Sequence, residues 1–102
     1  MAGGRYGSFR DFYPFYLTEH SRSGTRRLHF AGTLLVLLTL AAVLLTGRWA
    51  LLVLLPVFGY GFAWVGHFAV ERNRPATFQY PLYSLAGDFR MFADMLRGRV
   101  GF

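Results

Sequence analysis

The chain has 102 residues, enough for one domain, and 54% of them are hydrophobic. Its formal net charge of +6 comes from eleven arginines with no lysine, and it contains no cysteine. Disulfides, thiolate zinc sites and cysteine-ligated iron–sulfur clusters are therefore excluded. The excess positive charge is compatible with nucleic acid, an anionic membrane surface or an acidic substrate.

The first predicted helix covers residues 9–19, with Ser8 as its N-cap. Four aromatic residues at helical spacing share one face: Phe9, Phe12, Tyr13 and Tyr16. Aromatic side chains are typical of membrane–water interfaces, which favours an interfacial helix beside the bilayer. A helix packed over the rest of the protein fits the same stripe equally well. Pro14 is expected to kink or shorten this helix.

Two apolar segments follow at residues 28–46 and 49–68, joined by Gly47 and Arg48. With a rise of about 1.5 Å per residue, each is long enough for a hydrocarbon core of about 30 Å. Two such segments with so short a connection predict an antiparallel transmembrane hairpin. A soluble chain of this length cannot enclose two helices that are hydrophobic on all sides. Pro56 is expected to bend the second span.

The arginines predict the orientation of this hairpin. Three precede the first span and two follow the second: Arg22, Arg26, Arg27, Arg72 and Arg74. Only Arg48 lies at the connection, so the positive-inside rule places both termini in the cytoplasm. This placement accounts for much of the net charge, and no nucleic-acid partner is predicted. Arginine-only usage favours a bacterial inner membrane, with the endoplasmic reticulum as its counterpart in a eukaryote.

A last amphipathic helix is predicted at residues 82–97, with Leu85, Phe89, Phe92 and Leu96 on one side. The predicted fold class is thus an all-α membrane protein with a single domain, residues 1–102. In it, a two-span antiparallel helical hairpin is flanked by two amphipathic interfacial helices, and membrane lipid is a partner.

The three histidines of the chain form a candidate metal site. His29 and His67 each lie 19 positions from Arg48, so an antiparallel hairpin brings them to the same depth at its cytoplasmic end. His20 lies on the approach to the first span, and Glu71 lies one helical turn beyond His67. Two histidines and one carboxylate are the ligands of non-haem Fe(II) oxygenases.

The same residues also allow structural interpretations. His29 and His67 could bond lipid headgroups or each other at the interface, and Glu71 could pair with an arginine. Asp88 could replace Glu71 as the carboxylate, although an isolated acid also fits the first turn of a helix.

Arginines at the same end of the hairpin could hold a substrate carboxylate by charge-assisted hydrogen bonds: Arg27, Arg72 and Arg74. Each could instead serve only topology and contact with anionic lipid.

Three segments of the sequence resemble a known family: FYPFYLTEH, RRLHFAGT and GYGFAWVGHFAVERNRPATFQYPLYSLAGDFRMF. This family comprises small membrane proteins, long described as a domain of unknown function, that are similar to 2-hydroxy fatty acid (2-hydroxypalmitic acid) dioxygenases. The resemblance covers residues 9 to 96. It implies an Fe(II)-dependent α-oxidation, in which a 2-hydroxy fatty acid and O2 give the fatty acid one carbon shorter. It also implies that the histidines are the iron ligands, with Glu71 and Asp88 as the acids of the motif.

We therefore predict that His20, His29 and His67 bind Fe(II), with Glu71 as a fourth ligand or as the partner that orients a histidine. Asp88, water, substrate or a second subunit of a homo-oligomer could complete the site instead. Two other functions fit the sequence. One is a non-enzymatic lipid-binding or assembly protein of the membrane, and the other is a haem protein with His29 and His67 as axial ligands.

Overall fold

The computed structural model of the protein describes residues 6–102, and that range contains helices and no strand. Its α-helices are α1 (Phe9–Thr18), α2 (Ser23–Thr46), α3 (Leu54–Val65) and α4 (Pro81–Leu96). A 3-10 helix at Trp49–Val53 leads into α3, a π-helix at Gly66–Glu71 follows α3, and a 3-10 turn at Ala76–Phe78 precedes α4. The all-α class predicted from the sequence is confirmed.

Two helical stretches, Ser23–Thr46 and Trp49–Glu71, are long and apolar enough to cross a membrane. Both extend beyond the predicted spans, because the helical hydrogen bonding continues into flanking residues that are less apolar. Their large side chains are mostly directed outwards, and Leu44 and Leu45 are 83% and 86% exposed. An apolar surface of this kind is favourable against lipid and unfavourable against water. The orientation of the two stretches across a bilayer stays a prediction.

Glycines set the distance between α2 and the second stretch. Gly66 packs on Thr25 near the start of α2, and Gly59 packs on Val36 further along, so the two helices run antiparallel. A Cβ at Gly32 would lie 2.6 Å from the carbonyl oxygen of Phe58, which leaves no room for a side chain there. This close approach brings the ends of the two stretches together.

The connection between the two stretches follows from local chemistry. Gly47 ends α2 in the left-handed region, with φ of 69°, and its N–H donates to the carbonyl of Val43. The chain is then 3-10 up to Val53 and becomes α-helical from Leu54. Pro56 therefore lies in the first turn of α3, where its missing N–H is not needed.

The aromatic stripe of α1 is a packing surface. Phe12, Tyr13 and Tyr16 are buried in a core with Met91 and Met95 of α4. Of the two interpretations of the stripe, the packed helix is therefore the one observed. The helix also continues through Pro14 to Thr18, so the expected shortening does not occur.

Candidate metal centre

Three separate elements bring the histidines together. His20 follows the end of α1, His29 lies on α2, and His67 lies in the π-helix. One ligand nitrogen of each histidine lies within 4.8 Å of those of the other two. The side chains are deeply buried, with 1%, 5% and 3% exposure in chain order. This cluster is compatible with binding of a metal ion.

The π-helix and the turn after it orient His67. Arg72 has φ of 60° and reverses the chain, so that the N–H of Asn73 donates to the carbonyl oxygen of His67 at 2.9 Å. In return, Nδ1 of His67 lies 2.7 Å from Oδ1 of Asn73. The amide nitrogen of Asn73 donates to the carbonyl of Glu19 at 3.1 Å, so Oδ1 is the acceptor. Nδ1 of His67 therefore carries the proton, and Nε2 keeps a free lone pair.

His20 is held in the same tautomer. Its Nδ1 lies 2.6 Å from the carbonyl oxygen of Tyr16, which can only accept, so Nδ1 is the donor. Nε2 is again left with its lone pair. Burial lowers the pKa of His20 to about 3, so the ring stays neutral. Neutral imidazole whose other nitrogen donates to a carbonyl or amide oxygen is the usual form of a metal ligand.

The spacing of the nitrogens also fits a shared ion. Nε2 of His29 lies 3.0 Å from Nε2 of His20. Two nitrogens at about 2.1 Å from one ion lie roughly 3.0 to 3.4 Å apart, for angles between 90° and tetrahedral. A donor set of three imidazoles suits iron, zinc, copper or nickel.

Asp88 of α4 lies beside this cluster. Its Oδ1 is 3.5 Å from Nε2 of His29 and accepts a hydrogen bond of 2.5 Å from the Tyr16 hydroxyl. Burial raises the pKa of Asp88 to about 7, against the opposing effect of the Tyr16 hydrogen bond. Because α4 begins at Pro81, the interpretation of Asp88 as a first-turn acid is wrong.

Glu71 lies apart from the three histidines and makes a different set of contacts. Its carboxylate accepts from the Ser21 hydroxyl at 2.8 Å, the Arg22 N–H at 2.5 Å and the Thr25 hydroxyl at 2.9 Å. These bonds join the end of the second stretch to the start of α2. The i, i+4 rule that placed Glu71 beside His67 holds for an α-helix, whereas a π-helix closes its hydrogen bonds at i+5.

The three arginines assigned to the substrate headgroup are exposed: Arg27, Arg72 and Arg74. A small pocket, here called the histidine pocket, is lined by the three histidines together with Tyr16, Ser84 and Asp88, and among the described residues none of these arginines lines it. The guanidinium of Arg74 instead lies 4.5 Å from the centre of the Phe78 ring. Their role in binding a headgroup stays a prediction.

An apolar groove of about 390 Å³ between α2, α3 and α4 adjoins the histidine pocket. The two share Gly59, Tyr60 and Asp88. The other groove residues are mostly aliphatic or aromatic: Thr33, Val36, Leu40, Leu55, Pro56, Leu85 and Phe89. An apolar ligand in this groove would therefore have one end beside the histidine pocket.

The haem alternative does not fit this geometry. The ring centres of His29 and His67 are 5.2 Å apart, and His20 lies within 4.5 Å of both. No space is left between the rings for a macrocycle.

Sequence reasoning missed three residues around the histidines. The carbonyl of Tyr16 and the amide of Asn73 fix two of the rings, and Ser84 lines the pocket. Asn73 lies within the GHFAVERNRP segment, so its place in that motif was the available signal.

The family described as 2-hydroxy-palmitic acid dioxygenase Mpo1-like matches residues 6–100 of the chain. The protein belongs to this family. The family resemblance of the sequence segments is thereby confirmed over nearly the whole length of the chain. No curated protein and no solved structure matches the chain.

Proposed function

We propose that the protein is a membrane-bound, Fe(II)-dependent dioxygenase that converts a 2-hydroxy fatty acid and O2 into the fatty acid one carbon shorter. The observation that carries this proposal is the cluster of three buried histidines whose ligand atoms lie within 4.8 Å. The description of the family supports the substrate class and the reaction. The apolar groove beside the cluster supports a substrate with a long acyl chain.

The reaction is R–CHOH–COOH + O2 → R–COOH + CO2 + H2O. Four electrons leave the substrate and reduce both oxygen atoms of O2, so no further reductant is required. His20, His29 and His67 would hold the ion, which would supply the binding and activation of O2. The Tyr16 carbonyl and the Asn73 side chain would keep two of the rings in the ligand tautomer.

The remaining residues of the site bind and shield the substrate. The acyl chain would lie in the groove of α2, α3 and α4, with its polar end at the histidines. The packed aromatic residues of α1 would exclude water from the opposite side of the pocket. Glu71, held by three donors at the start of α2, would fix the helix that carries His29.

The test is reconstitution with Fe(II) under anaerobic conditions, after purification in detergent. O2 is then added with 2-hydroxypalmitate, and the products are analysed by mass. We expect about one iron per chain and a product one carbon shorter, both lost in His67→Ala. Phe68→Leu is the matched control, because its exposed side chain follows His67 in the same π-helix.

Unchanged substrate over several chain lengths would refute the dioxygenase. A protein that also held no metal, with full stability of His67→Ala, would instead be the non-enzymatic lipid-binding or assembly protein. In that case the buried polar cluster would serve helix packing only.

A further inference from the structure

The side of α4 that faces the histidines carries two polar residues one helical turn apart, Ser84 and Asp88. Both line the histidine pocket. Ser84 is only 3% exposed, and its Oγ has no hydrogen-bond partner among residues 6–102. Buried hydroxyls are normally hydrogen-bonded, so an unpaired one directed at a pocket indicates a ligand that supplies the partner.

The second residue, Asp88, also has a free acceptor. The Tyr16 hydroxyl and the nearest nitrogen of His29 both approach Oδ1. In the described structure this leaves Oδ2 for a ligand. The pocket thus offers one hydroxyl donor and one carboxyl acceptor, separated by a turn of helix.

The order of the two residues along the cavity is also defined. Asp88 lines both the apolar groove and the histidine pocket, whereas Ser84 lines only the histidine pocket. An acyl chain that lies in the groove therefore reaches Asp88 before it reaches Ser84. In a 2-hydroxy fatty acid, the hydroxyl on carbon 2 likewise comes before the terminal carboxylate.

We propose that Ser84 and Asp88 select the head group of the substrate. Asp88 accepts a hydrogen bond from the 2-hydroxyl, and Ser84 donates one to the carboxylate. A plain fatty acid has the carboxylate but lacks the donor at carbon 2, so Asp88 is the residue that distinguishes the two. This inference rests on the proposed function for the substrate class, and its test measures binding rather than turnover.

The assay uses Trp64, which lines the histidine pocket, as a fluorescent reporter. Trp49→Phe removes the only other tryptophan, at the far end of the second stretch. The protein in nanodiscs is titrated with 2-hydroxypalmitate and with palmitate under nitrogen, so that no oxidation occurs. We expect the hydroxy acid to bind at least about tenfold more tightly, because the plain acid leaves the acceptor on Asp88 without a hydrogen-bond donor.

The two substitutions then have different expected effects. Ser84→Ala should weaken the binding of both acids by about tenfold, which is in the range for loss of a hydrogen bond to a charged group. The ratio of their dissociation constants should stay unchanged. Asp88→Ala, which removes the acceptor, should bring the ratio of the two dissociation constants close to one. Asp88→Glu, which keeps a carboxylate acceptor, should retain a preference for the hydroxy acid.

The controls separate head-group selection from folding and metal binding. Ala86→Ser changes one hydroxyl on an exposed position of the same helix and should leave both affinities unchanged. Metal content and thermal unfolding are measured for every variant. Unchanged affinities in Ser84→Ala, or a retained ratio in Asp88→Ala, would overturn the proposal. Loss of metal in Asp88→Ala, with the fold intact, would show that Asp88 is a ligand, which also overturns it.

The outcome is independent of turnover. Selective binding that disappears in Asp88→Ala, in a protein that gives no product, would support head-group selection and refute the dioxygenase. Turnover without the expected ratio of dissociation constants would support the dioxygenase and refute head-group selection.

Discussion

Replacement of Asn73 by alanine tests whether the π-helical turn builds the metal centre. The substitution removes the acceptor that lies 2.7 Å from Nδ1 of His67 and the donor to the Glu19 carbonyl. His67 is buried, so its N–H would be left unpaired or the ring would change tautomer. An unpaired buried donor costs about 1–3 kcal/mol, and loss of a partner that orients a ligand typically costs 10- to 100-fold in metal affinity.

The assay for Asn73→Ala is competition for Fe(II) or Zn(II) with a chelator of known affinity, together with thermal unfolding in the same detergent. We expect metal affinity to fall by about 10- to 100-fold. Asn73→Asp is the matched control, because it keeps the acceptor oxygen and should retain most of the affinity. Wild-type affinity in Asn73→Ala, with the fold intact, would refute the assignment of His67 as an oriented ligand.

Three further predictions concern the helices that hold the site. Glu71→Gln should lower the free energy of unfolding by about 1–3 kcal/mol, because the amide makes weaker hydrogen bonds to the start of α2. Metal analysis should still give one ion per chain, and loss of the ion would show that Glu71 is a ligand. Gly32→Ala should destabilise the protein and lower its metal content, because the new Cβ would lie 2.6 Å from the carbonyl oxygen of Phe58. Gly59→Ala is the control for the same unfolding assay and should be tolerated, because its Cβ would lie 3.7 Å from Val36. Val36→Trp should fill the groove and shift the preferred substrate towards shorter acids, which is measured by product mass over a series of chain lengths. An unchanged preference would show that the acyl chain does not bind in this groove.

The sequence was sufficient for the histidines because their positions depend on simple counting. Two apolar helices with a short connection at Gly47 and Arg48 must return antiparallel, and equal distances from Arg48 bring His29 and His67 to the same level. The structure has these rings 5.2 Å apart. Hydrophobic periodicity likewise predicts α1 and α4, because a helix needs a stripe of apolar residues whether it packs on the protein or lies at a membrane surface.

The sequence was insufficient where local geometry departs from the α-helix. The i, i+4 rule joined Glu71 to His67, but the π-helix from Gly66 directs Glu71 towards Ser21, Arg22 and Thr25. No sequence rule predicts a π turn. The role of Asp88 was also hidden, because its contact with Tyr16 joins residues 72 positions apart. Such a contact depends on how α1 packs against α4.

The distribution of the site residues over the fold has a consequence for how a lipid substrate would reach them. His29 and His67 belong to the two apolar stretches, whereas His20 follows α1 and Asp88 lies on α4, which packs against α1. The site therefore forms where the two apolar stretches meet the packed pair of α1 and α4. Its groove is lined by α2, α3 and α4. A substrate that lies in the bilayer could enter this groove sideways and keep its acyl chain in an apolar environment throughout. Its head group alone would be desolvated on entry, and the polar side chains of α4 and the histidines would compensate for that cost.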